Sequence, residues 1–230
     1  MIPKIIHQVW EGRKEVLPDF HRKLGETWKE HHPDWKYEIW DGKKMEELIR
    51  TSFPEIADVY FNYKYDVQRW DVIRYLILYK MGGMYVDFDY ECFEPFDDYL
   101  NNKGKCYFAM EPVEHCLGYE NGIYFNNALM MSPPCHPFIE HIITYLKTTP
   151  FIYTGNKFQD VLSSTGPKML TSLYSKYENK AIIDFFTAER VSPWLPEDVR
   201  HYIYHEGGIE KLEKKLEKAM AIHYFFGSWV

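Results

Sequence analysis

The stretch of sequence that decides the fold is residues 66–91, which read DVQRWDVIRYLILYKMGGMYVDFDYE. Its first half has apolar residues at the three- to four-residue spacing of a helix face that is turned toward a core. These positions are Val67, Trp70, Ile73, Ile77 and Met81. Gly82 and Gly83 then end the helix and turn the chain, and the apolar run of residues 84–86 predicts a short strand.

Two acidic residues, Asp87 and Asp89, follow this predicted strand. Carboxylates this close repel each other, and they are tolerated where a cation lies between them. Hard oxygen ligands favour Mg²⁺ or Mn²⁺, which usually keep part of their coordination sphere for substrate phosphates. The alternative is that the D-x-D sequence is a solvated loop. Asp71 and Arg74 favour the functional interpretation, because charges in an otherwise apolar helix usually have an assigned partner or ligand.

Residues 71–91 resemble the signature of glycosyltransferase family 32, and they are also similar to the corresponding segment of the glucosylating bacterial toxins. The resemblance rests on the helical Asp and Arg, the Gly-Gly pair, the aromatic residue before the first Asp, and the D-x-D sequence. Residues 2–10 resemble the first strand of the family, and His223 with residues 227–229 resembles its closing motif. The resemblance implies an α/β fold of the GT-A type in which residues 1–230 form a single domain. In this fold a mostly parallel central sheet is flanked by helices, and the D-x-D sequence lies at a strand end.

The resemblance also implies a role for each candidate site residue. The expected catalytic residues are Asp71, Arg74, Asp87 and Asp89. The expected ligands of a Mn²⁺ or Mg²⁺ cofactor are Asp87, Asp89 and His223. The residues expected to bind the donor are Trp10, Asp71, Arg74, Tyr85, Asp87, Asn126, Ser228 and Trp229. Among them, Trp10 would stack on the base, whereas Asp71 and Arg74 would fix hydroxyls of the sugar.

Some of these residues also have a purely structural interpretation. A lone histidine is more often a packing residue than a ligand, and imidazole suits Mg²⁺ less well than carboxylate does. His223 is therefore a candidate ligand on the strength of the resemblance. Asn126 and Asn127 lie in an otherwise apolar predicted strand. They are either edge residues bonded to backbone groups or residues that bond to hydroxyls of the donor sugar.

The rest of the chain alternates strands and helices, which is typical of an α/β fold. Strands are predicted at residues 4–10, 35–40, 105–110 and 123–131, and helices at residues 17–32, 43–50, 54–63, 93–100, 136–147, 158–177 with a break at 165–167, and 209–220. Residues 181–208 are expected to form a long functional loop with at most one strand. The apolar tail of residues 221–230 is expected to pack over the acidic strand end. Because ligands collect beyond the carboxyl ends of strands, we expect Trp10 and Asp87 in one crevice.

The composition limits the possible partners. The net charge of −7 argues against a nucleic-acid partner, since phosphate-backbone binding needs a concentrated basic surface. The aromatic fraction of 18% slightly favours a sugar or nucleotide ligand. Four cysteines without zinc-like spacing indicate reduced thiols, and no apolar run approaches the ~18 residues of a membrane span. We therefore expect a cytoplasmic protein that visits the membrane surface if its acceptor is lipid-linked.

Together these features predict a metal-dependent glycosyltransferase. It would transfer a sugar from a UDP- or GDP-sugar to a saccharide or lipid-linked acceptor in polysaccharide or oligosaccharide synthesis, and the resemblance implies retention of the anomeric configuration. A glycoside hydrolase is less suitable, because its two carboxylates must flank the scissile bond at roughly 5 to 9.5 Å from each other. A non-catalytic carbohydrate-binding protein and a nucleotide-sugar hydrolase are the remaining alternatives.

Overall fold

A six-stranded sheet forms the centre of the computed structural model, which describes residues 1–12, 16–101, 104–204 and 209–227. In chain order the strands are β1 (Ile5–Val9), β2 (Lys36–Trp40), β3 (Gly83–Val86), β4 (Tyr90–Cys92), β5 (Cys106–Met110), β6 (Phe125–Ser132), β7 (Ile183–Phe186) and β8 (Ala221–His223). The central sheet has the order β2-β1-β3-β6-β5-β7, and β4 pairs with β8 in a separate antiparallel ribbon.

The central sheet is mostly parallel, as expected. Strand β1 is parallel to both β2 and β3, and β5 is parallel to β7. Only β6, among the described strands of this sheet, runs against its neighbours β3 and β5. The register pairs Ile6 with Met84 and His7 with Tyr85, so β1 and β3 end at the same edge of the sheet. This edge is where Trp10 and Asp87 follow their strands.

Helices cover both faces of the sheet. They are α1 (Asp19–His31), α2 (Gly42–Ser52), α3 (Ala57–Phe61), α4 (Asp66–Met81), α5 (Pro137–Thr148), α6 (Lys157–Ser164), α7 (Pro167–Lys176), α8 (Ala188–Val191), α9 (Pro196–Tyr204) and α10 (Glu210–Leu216). One hydrophobic core includes side chains of α2, α4, α5 and α7, and a second core includes α1 and the β4–β8 ribbon. Within the described ranges, no helix is both long enough and apolar enough to cross a bilayer.

Helix α4 differs from the predicted helix in its surroundings. The spacing of its apolar residues predicts one core-facing side, but the structure buries the helix almost all round, from Val67 to Leu78. Helix α4 contacts β1, β3 and β6 of the sheet as well as α5 and α6, and this explains the burial. Its polar residues Gln68, Asp71 and Arg74 are buried as well, so they must be satisfied by neighbouring groups.

The Gly82-Gly83 pair makes the predicted turn. Gly82 follows the last helical residue with a φ of 65°, and Gly83 begins β3 with a φ of 98°. A Cβ atom on Gly83 would lie 2.5 Å from the backbone oxygen of Ile5. Only glycine therefore lets the chain leave α4 and enter β3 this close to β1.

Three local predictions were wrong. Residues 181–208 contain β7, α8 and α9 rather than a long loop, because Val191 is buried in the second core and Trp194 and Val199 are buried in a third cluster with Leu212 and Ile222. Residues 93–100 form only a 3₁₀ turn at Asp97–Tyr99, since the amides of Phe93 and Glu94 bond to the Met220 oxygen. Helix α10 ends at Leu216, because the chain beyond it must turn to enter β8.

Candidate active site

The D-x-D sequence forms a turn between β3 and β4. The Asp87 amide donates to the Ala128 oxygen at 2.8 Å, and the Tyr90 amide donates to the Asp87 oxygen at 3.2 Å. These two bonds fix the backbone on either side of the turn. Both carboxylates are largely shielded from solvent, with side-chain exposures of 29% for Asp87 and 16% for Asp89. The turn therefore holds two charged groups that need partners.

Arg74 of α4 is the charged partner of Asp87. Its guanidinium lies 3.2 Å from Asp87 Oδ2 and donates to the Asn127 oxygen at 2.9 Å. It also lies 4.7 Å from the centre of the Tyr85 ring, and the Tyr85 hydroxyl donates to Asp87 Oδ1. Both oxygens of Asp87 are thus bonded inside the protein.

Asp71 lies one turn before Arg74 and is more deeply buried. Its Oδ1 accepts a hydrogen bond of 2.8 Å from Asn127 Nδ2 and lies 3.3 Å from the Arg74 guanidinium. Its Oδ2 accepts a hydrogen bond of 2.7 Å from the Thr165 hydroxyl. We call the linked residues the Arg74 network: Asp71, Arg74, Tyr85, Asp87, Asn127 and Thr165.

The charges of the Arg74 network oppose the effect of burial. Burial raises the pKa of both Asp71 and Asp87 above the ordinary value, and Arg74 works in the opposite direction on each. Burial also disfavours the charged form of Arg74, but Asp87 and its neighbours outweigh it and raise the pKa of Arg74. Arg74 therefore stays cationic between two carboxylates.

Asp89 contacts a different part of the chain, the segment of residues 223–226. Its Oδ1 lies 3.3 Å from His223 Nε2, and its Oδ2 accepts a hydrogen bond of 3.1 Å from the Phe226 amide. The β4–β8 ribbon positions this contact, because it pairs Tyr90 directly with His223 and stacks their rings at 4.4 Å. The expectation that the tail packs over the acidic strand end agrees with this geometry.

The electrostatics favour the Asp89–His223 pair. Burial raises the pKa of Asp89, but His223 outweighs this effect and the pKa of Asp89 is lowered. Burial lowers the pKa of His223, but the Asp89 carboxylate outweighs it and the pKa of His223 is raised. Each of the two groups therefore favours the charged form of the other.

A divalent ion fits this pair better than it fits Asp87. Asp89 Oδ1 and His223 Nε2 are close enough to bind one ion, and Mn²⁺ accepts both carboxylate and imidazole ligands. Asp87 is the third expected ligand, but its oxygens bond to Arg74 and Tyr85. Across the described ranges, no group of three His, Cys, Asp or Glu side chains converges as a ligand set. Substrate phosphates would have to complete the coordination.

Trp10 lies beside the D-x-D turn. Its ring centre is 6.1 Å from that of Phe88, the residue between the two aspartates, and 5.9 Å from that of His21 on α1. The His21 ring in turn lies 5.7 Å from the Phe226 ring. Trp10 therefore lies next to the acidic turn, and the shared crevice for a base and a diphosphate stays a prediction.

Asn126 and Asn127 lie in β6, at the centre of the sheet, so their interpretation as edge residues is wrong. The register of β5 and β6 jumps from Phe108–Met130 to Ala109–Asn126, and residues 127–129 bulge away from β5. Asn127 Nδ2 bonds to Asp71 and to the Tyr75 hydroxyl, each at 2.8 Å. An apolar run does not indicate a bulge, so the sequence alone does not show what the side chains of Asn126 and Asn127 contact.

Asn126 bonds to a residue that sequence reasoning missed. Its Nδ2 donates to Glu111 Oε1 at 2.8 Å, and its Oδ1 accepts from the Ala128 amide at 3.0 Å. Glu111 Oε2 also lies 2.8 Å from His115 Nδ1. Glu111 opens a polar loop, and nothing in the sequence distinguishes it from Glu114, which is exposed. Ser228 and Trp229 lie outside the described residues, so their contacts with the donor stay predictions.

A protein-family model matches the part of the chain that contains the D-x-D turn. The family model described as "Glycosyltransferase sugar-binding region containing DXD motif" matches residues 18–105, which contain α4, β3 and both aspartates of the turn. The chain belongs to this DXD glycosyltransferase family. The predicted family is therefore confirmed, and the D-x-D sequence is the part of the chain that defines it.

Two yeast proteins are similar to this DXD glycosyltransferase in sequence. Inositol phosphoceramide mannosyltransferase 3 of Schizosaccharomyces pombe is 32% identical over 76% of this chain and 46% of that protein. Mannosyl phosphorylinositol ceramide synthase SUR1 of Saccharomyces cerevisiae is 32% identical over 77% of this chain and 43% of that protein. The chain thus spans less than half the length of each of these relatives.

The glycosyltransferase domain from the YGT toxin has a similar fold. Its ligand-free structure matches with a TM-score of 0.57 at 9% identity and covers 80% of each chain. Its UDP-bound structure matches with a TM-score of 0.51 at 10% identity and covers 93% of this chain and 88% of that one. The central sheet and flanking helices are those of a GT-A glycosyltransferase, and the predicted fold class is confirmed.

Proposed function

We propose that this chain transfers a sugar from a nucleotide-sugar donor to a glycolipid or saccharide acceptor with the help of Mn²⁺ or Mg²⁺. The observation that carries the proposal is the D-x-D turn, where Asp89 meets His223 and Asp87 meets Arg74. The first pair suits a metal that bridges to a diphosphate, and the second suits the recognition of an uncharged sugar beside it. The family of the chain supports the reaction class.

In this proposal the residues in and around the turn bind different parts of the donor. Asp89 and His223 would hold the ion, which neutralises the charge that develops on the leaving diphosphate. Trp10 provides an aromatic face for the base next to Phe88. The Arg74 network presents fixed polar groups at the position of the sugar, so little reorganisation is needed when the donor binds. Asn126 is held by Glu111 and would bond to the donor through a rearranged amide.

The donor is a UDP- or GDP-sugar in this proposal. The relatives are named for the transfer of mannose, which supports GDP-mannose, and the UDP-bound toxin domain supports a UDP-sugar. The resemblance to family 32 supports retention of the anomeric configuration, with the leaving phosphate taking the proton of the acceptor hydroxyl.

We also propose that residues 1–230 form one domain, since the described strands β1–β3 and β5–β7 share one sheet.

A lipid-linked acceptor is supported by the surface around residues 224–226. The exposed Phe20 ring lies 5.4 Å from the Phe226 ring. The His115 ring lies 6.1 Å from the Phe225 ring. Val113 and Leu117, two residues before and two residues after His115, are both exposed. We call Phe20, Val113 and Leu117 the apolar rim. We propose that the rim touches a membrane surface from which the acceptor headgroup enters, and that the protein works on the cytoplasmic side, where its free thiols stay reduced.

Donor turnover tests the proposed function. Purified protein is incubated with UDP-glucose or GDP-mannose, with and without Mn²⁺, and released nucleoside diphosphate is measured. We expect turnover with at least one donor, loss of turnover with a chelator, and a loss of at least about 100-fold in Asp89→Asn, because this change removes the charge that binds the ion. Asp98→Asn, which changes an exposed aspartate outside the site, is the matched control.

Three results would contradict the proposal. Turnover that survives both the chelator and Asp89→Asn would exclude the metal. A protein that binds sugar but releases no nucleoside diphosphate from either donor would be a carbohydrate-binding protein. Release of nucleoside diphosphate with only free sugar as the second product, even when glycolipid and saccharide acceptors are present, would identify a nucleotide-sugar hydrolase.

A further inference from the structure

The junction between α6 and α7 approaches α4 closely. Thr165 is completely buried there, and Gly166 follows it at the start of α7. A Cβ atom on Gly166 would lie 3.2 Å from the Val161 oxygen and 3.6 Å from Asp71 Oδ2. The absence of a side chain at Gly166 therefore lets the chain turn tightly against the backbone of α6, beside the buried carboxylate of Asp71.

A row of polar side chains on α4 receives this junction. Gln68, Asp71 and Tyr75 follow one another at three- and four-residue spacing, which places them on one side of the helix. Gln68 Nε2 donates to the Ser164 hydroxyl at 2.7 Å, and the Tyr75 hydroxyl donates to the Thr165 oxygen at 2.7 Å. Between them, the Thr165 hydroxyl donates to Asp71 Oδ2 at 2.7 Å. Three side-chain hydrogen bonds thus join α4 to the junction in a region without solvent.

Each oxygen of Asp71 has its own partners. Oδ1 accepts from Asn127 and faces Arg74, whereas Oδ2 accepts from Thr165. A carboxylate can rotate about its last side-chain bond unless both oxygens are held. The Thr165 hydroxyl holds Oδ2, and it therefore helps to fix the orientation in which the Asp71 carboxylate faces Arg74.

We propose that Thr165 is a positioning residue for recognition of the donor sugar. It acts through Asp71 and Arg74, it need not touch the substrate, and its role rests on the function proposed above. The nucleotide part of the donor lies elsewhere in that proposal, near Trp10 and Asp89. Loss of the Thr165 hydroxyl should therefore weaken the recognition of the sugar without weakening that of the nucleoside diphosphate.

The test compares two variants of Thr165 with a matched control. Thr165→Val keeps the shape of the side chain and removes the hydroxyl, whereas Thr165→Ser keeps the hydroxyl. Thr171→Val is the control, since Thr171 is also buried on α7 and its hydroxyl bonds to no other group among the described residues. The measurements are kcat/KM for UDP-glucose or GDP-mannose, whichever the wild type uses, and the Kd of the matching nucleoside diphosphate, both with Mn²⁺.

We expect Thr165→Val to lower kcat/KM by about 10- to 100-fold, which corresponds to the loss of a hydrogen bond to a charged group. The Kd of the nucleoside diphosphate should change by less than about twofold, and Thr165→Ser should recover most of the activity. Thr171→Val should keep the wild-type values. A thermal unfolding scan of each variant confirms that the protein is folded.

Three outcomes would overturn the inference. These are unchanged kcat/KM in Thr165→Val, equal losses for nucleoside diphosphate and nucleotide sugar, and a Thr165→Ser variant as impaired as Thr165→Val. In each of these cases the wild type still turns over its donor, so the proposed function stands. A wild-type protein that turns over neither donor overturns the function and the role of Thr165 together.

Discussion

At the scale of single residues, His7 shows how a buried ionisable group constrains the sheet. It is completely buried in β1, where its Nδ1 accepts a hydrogen bond of 3.1 Å from Trp40 Nε1. Its Nε2 lies 3.0 Å from the Gly82 oxygen and must carry the proton, because a carbonyl can only accept. Both contacts suit the neutral ring. A second proton on Nδ1 would face the N–H group of Trp40.

Protonation of His7 should therefore destabilise the fold. Burial lowers the pKa of His7 from 6.5 to about 4. The unfolded chain binds this proton at higher pH than the folded protein does, so the free energy of unfolding should fall as the pH is lowered from 6.5 to 4. His7 should account for about 3 kcal/mol of this fall. Urea unfolding at several pH values between 4 and 7 measures it.

The control for this prediction is a second histidine. His7→Gln should flatten the dependence on pH in this window, whereas His141→Gln, at an exposed position of α5, should leave it unchanged. An equally steep dependence in His7→Gln and in the wild type would show that other groups cause the loss of stability.

At the scale of secondary structure elements, the turn from α4 into β3 sets the distance between β1 and β3. Gly83 and Gly118 both have positive φ angles, of 98° and 90°. A Cβ atom on Gly83 would lie 2.5 Å from the Ile5 oxygen, whereas one on Gly118 would meet no atom within 4 Å. The two glycines therefore share the backbone conformation and differ in the close approach.

Substitution of each glycine separates these two effects. Gly118→Ala should cost about 1 to 2 kcal/mol of stability, because an alanine at positive φ is strained. Gly83→Ala should cost about 2 kcal/mol more, because β1 must also move away from β3. Chemical denaturation of both variants measures the difference. Equal losses of stability in the two variants would mean that the backbone of Ile5 moves away from the added methyl group without further loss of stability.

The elements that could be predicted from the sequence are those with local signals. Local signals predict helix α4, the turn at the Gly-Gly pair and the short strand before Asp87. The structure contains all three as expected. Helices α8 and α9 were missed because their burial depends on residues far along the chain: α8 contacts β8, and Val199 of α9 is buried with Ile222. Within the site, the pairing of Asp89 with His223 was expected from the family resemblance alone. The partners Thr165 and Glu111 depend on tertiary contacts that no sequence pattern shows.

At the scale of the whole molecule, the apolar rim is the surface that we propose to contact a membrane carrying the acceptor. Val113 and Leu117 are both exposed beside the segment that covers Asp89, whereas Ile152 is exposed near the start of α6. If the rim contacts lipid, changing Val113 and Leu117 to serine should reduce sedimentation with phosphatidylcholine vesicles, because less apolar surface is buried. Ile152→Ser is the matched control and should bind as the wild type does.

The vesicle experiment also separates membrane contact from catalysis. Hydrolysis of the donor in the absence of acceptor should be unchanged in the Val113 and Leu117 variant, because neither residue belongs to the Arg74 network or to the Asp89–His223 pair. Wild-type protein that stays in the supernatant at every vesicle concentration would argue that the acceptor headgroup reaches the site in another way.

The β4–β8 ribbon has a consequence for binding affinity. It joins residues that are 133 positions apart, and it consists of only three residue pairs, from Tyr90–His223 to Cys92–Ala221. Opening of this ribbon would expose the buried side chains of Tyr90 and Ala221, so its stability depends on the second core. An opened ribbon would separate His223 from Asp89, so in the proposed function only the closed fraction of molecules would hold the metal and the donor. If the ribbon were closed in ~10% of molecules, the apparent Kd would be about tenfold weaker than that of the closed form. The stability of three residue pairs would then adjust the affinity of the enzyme without any change in the residues that touch the donor.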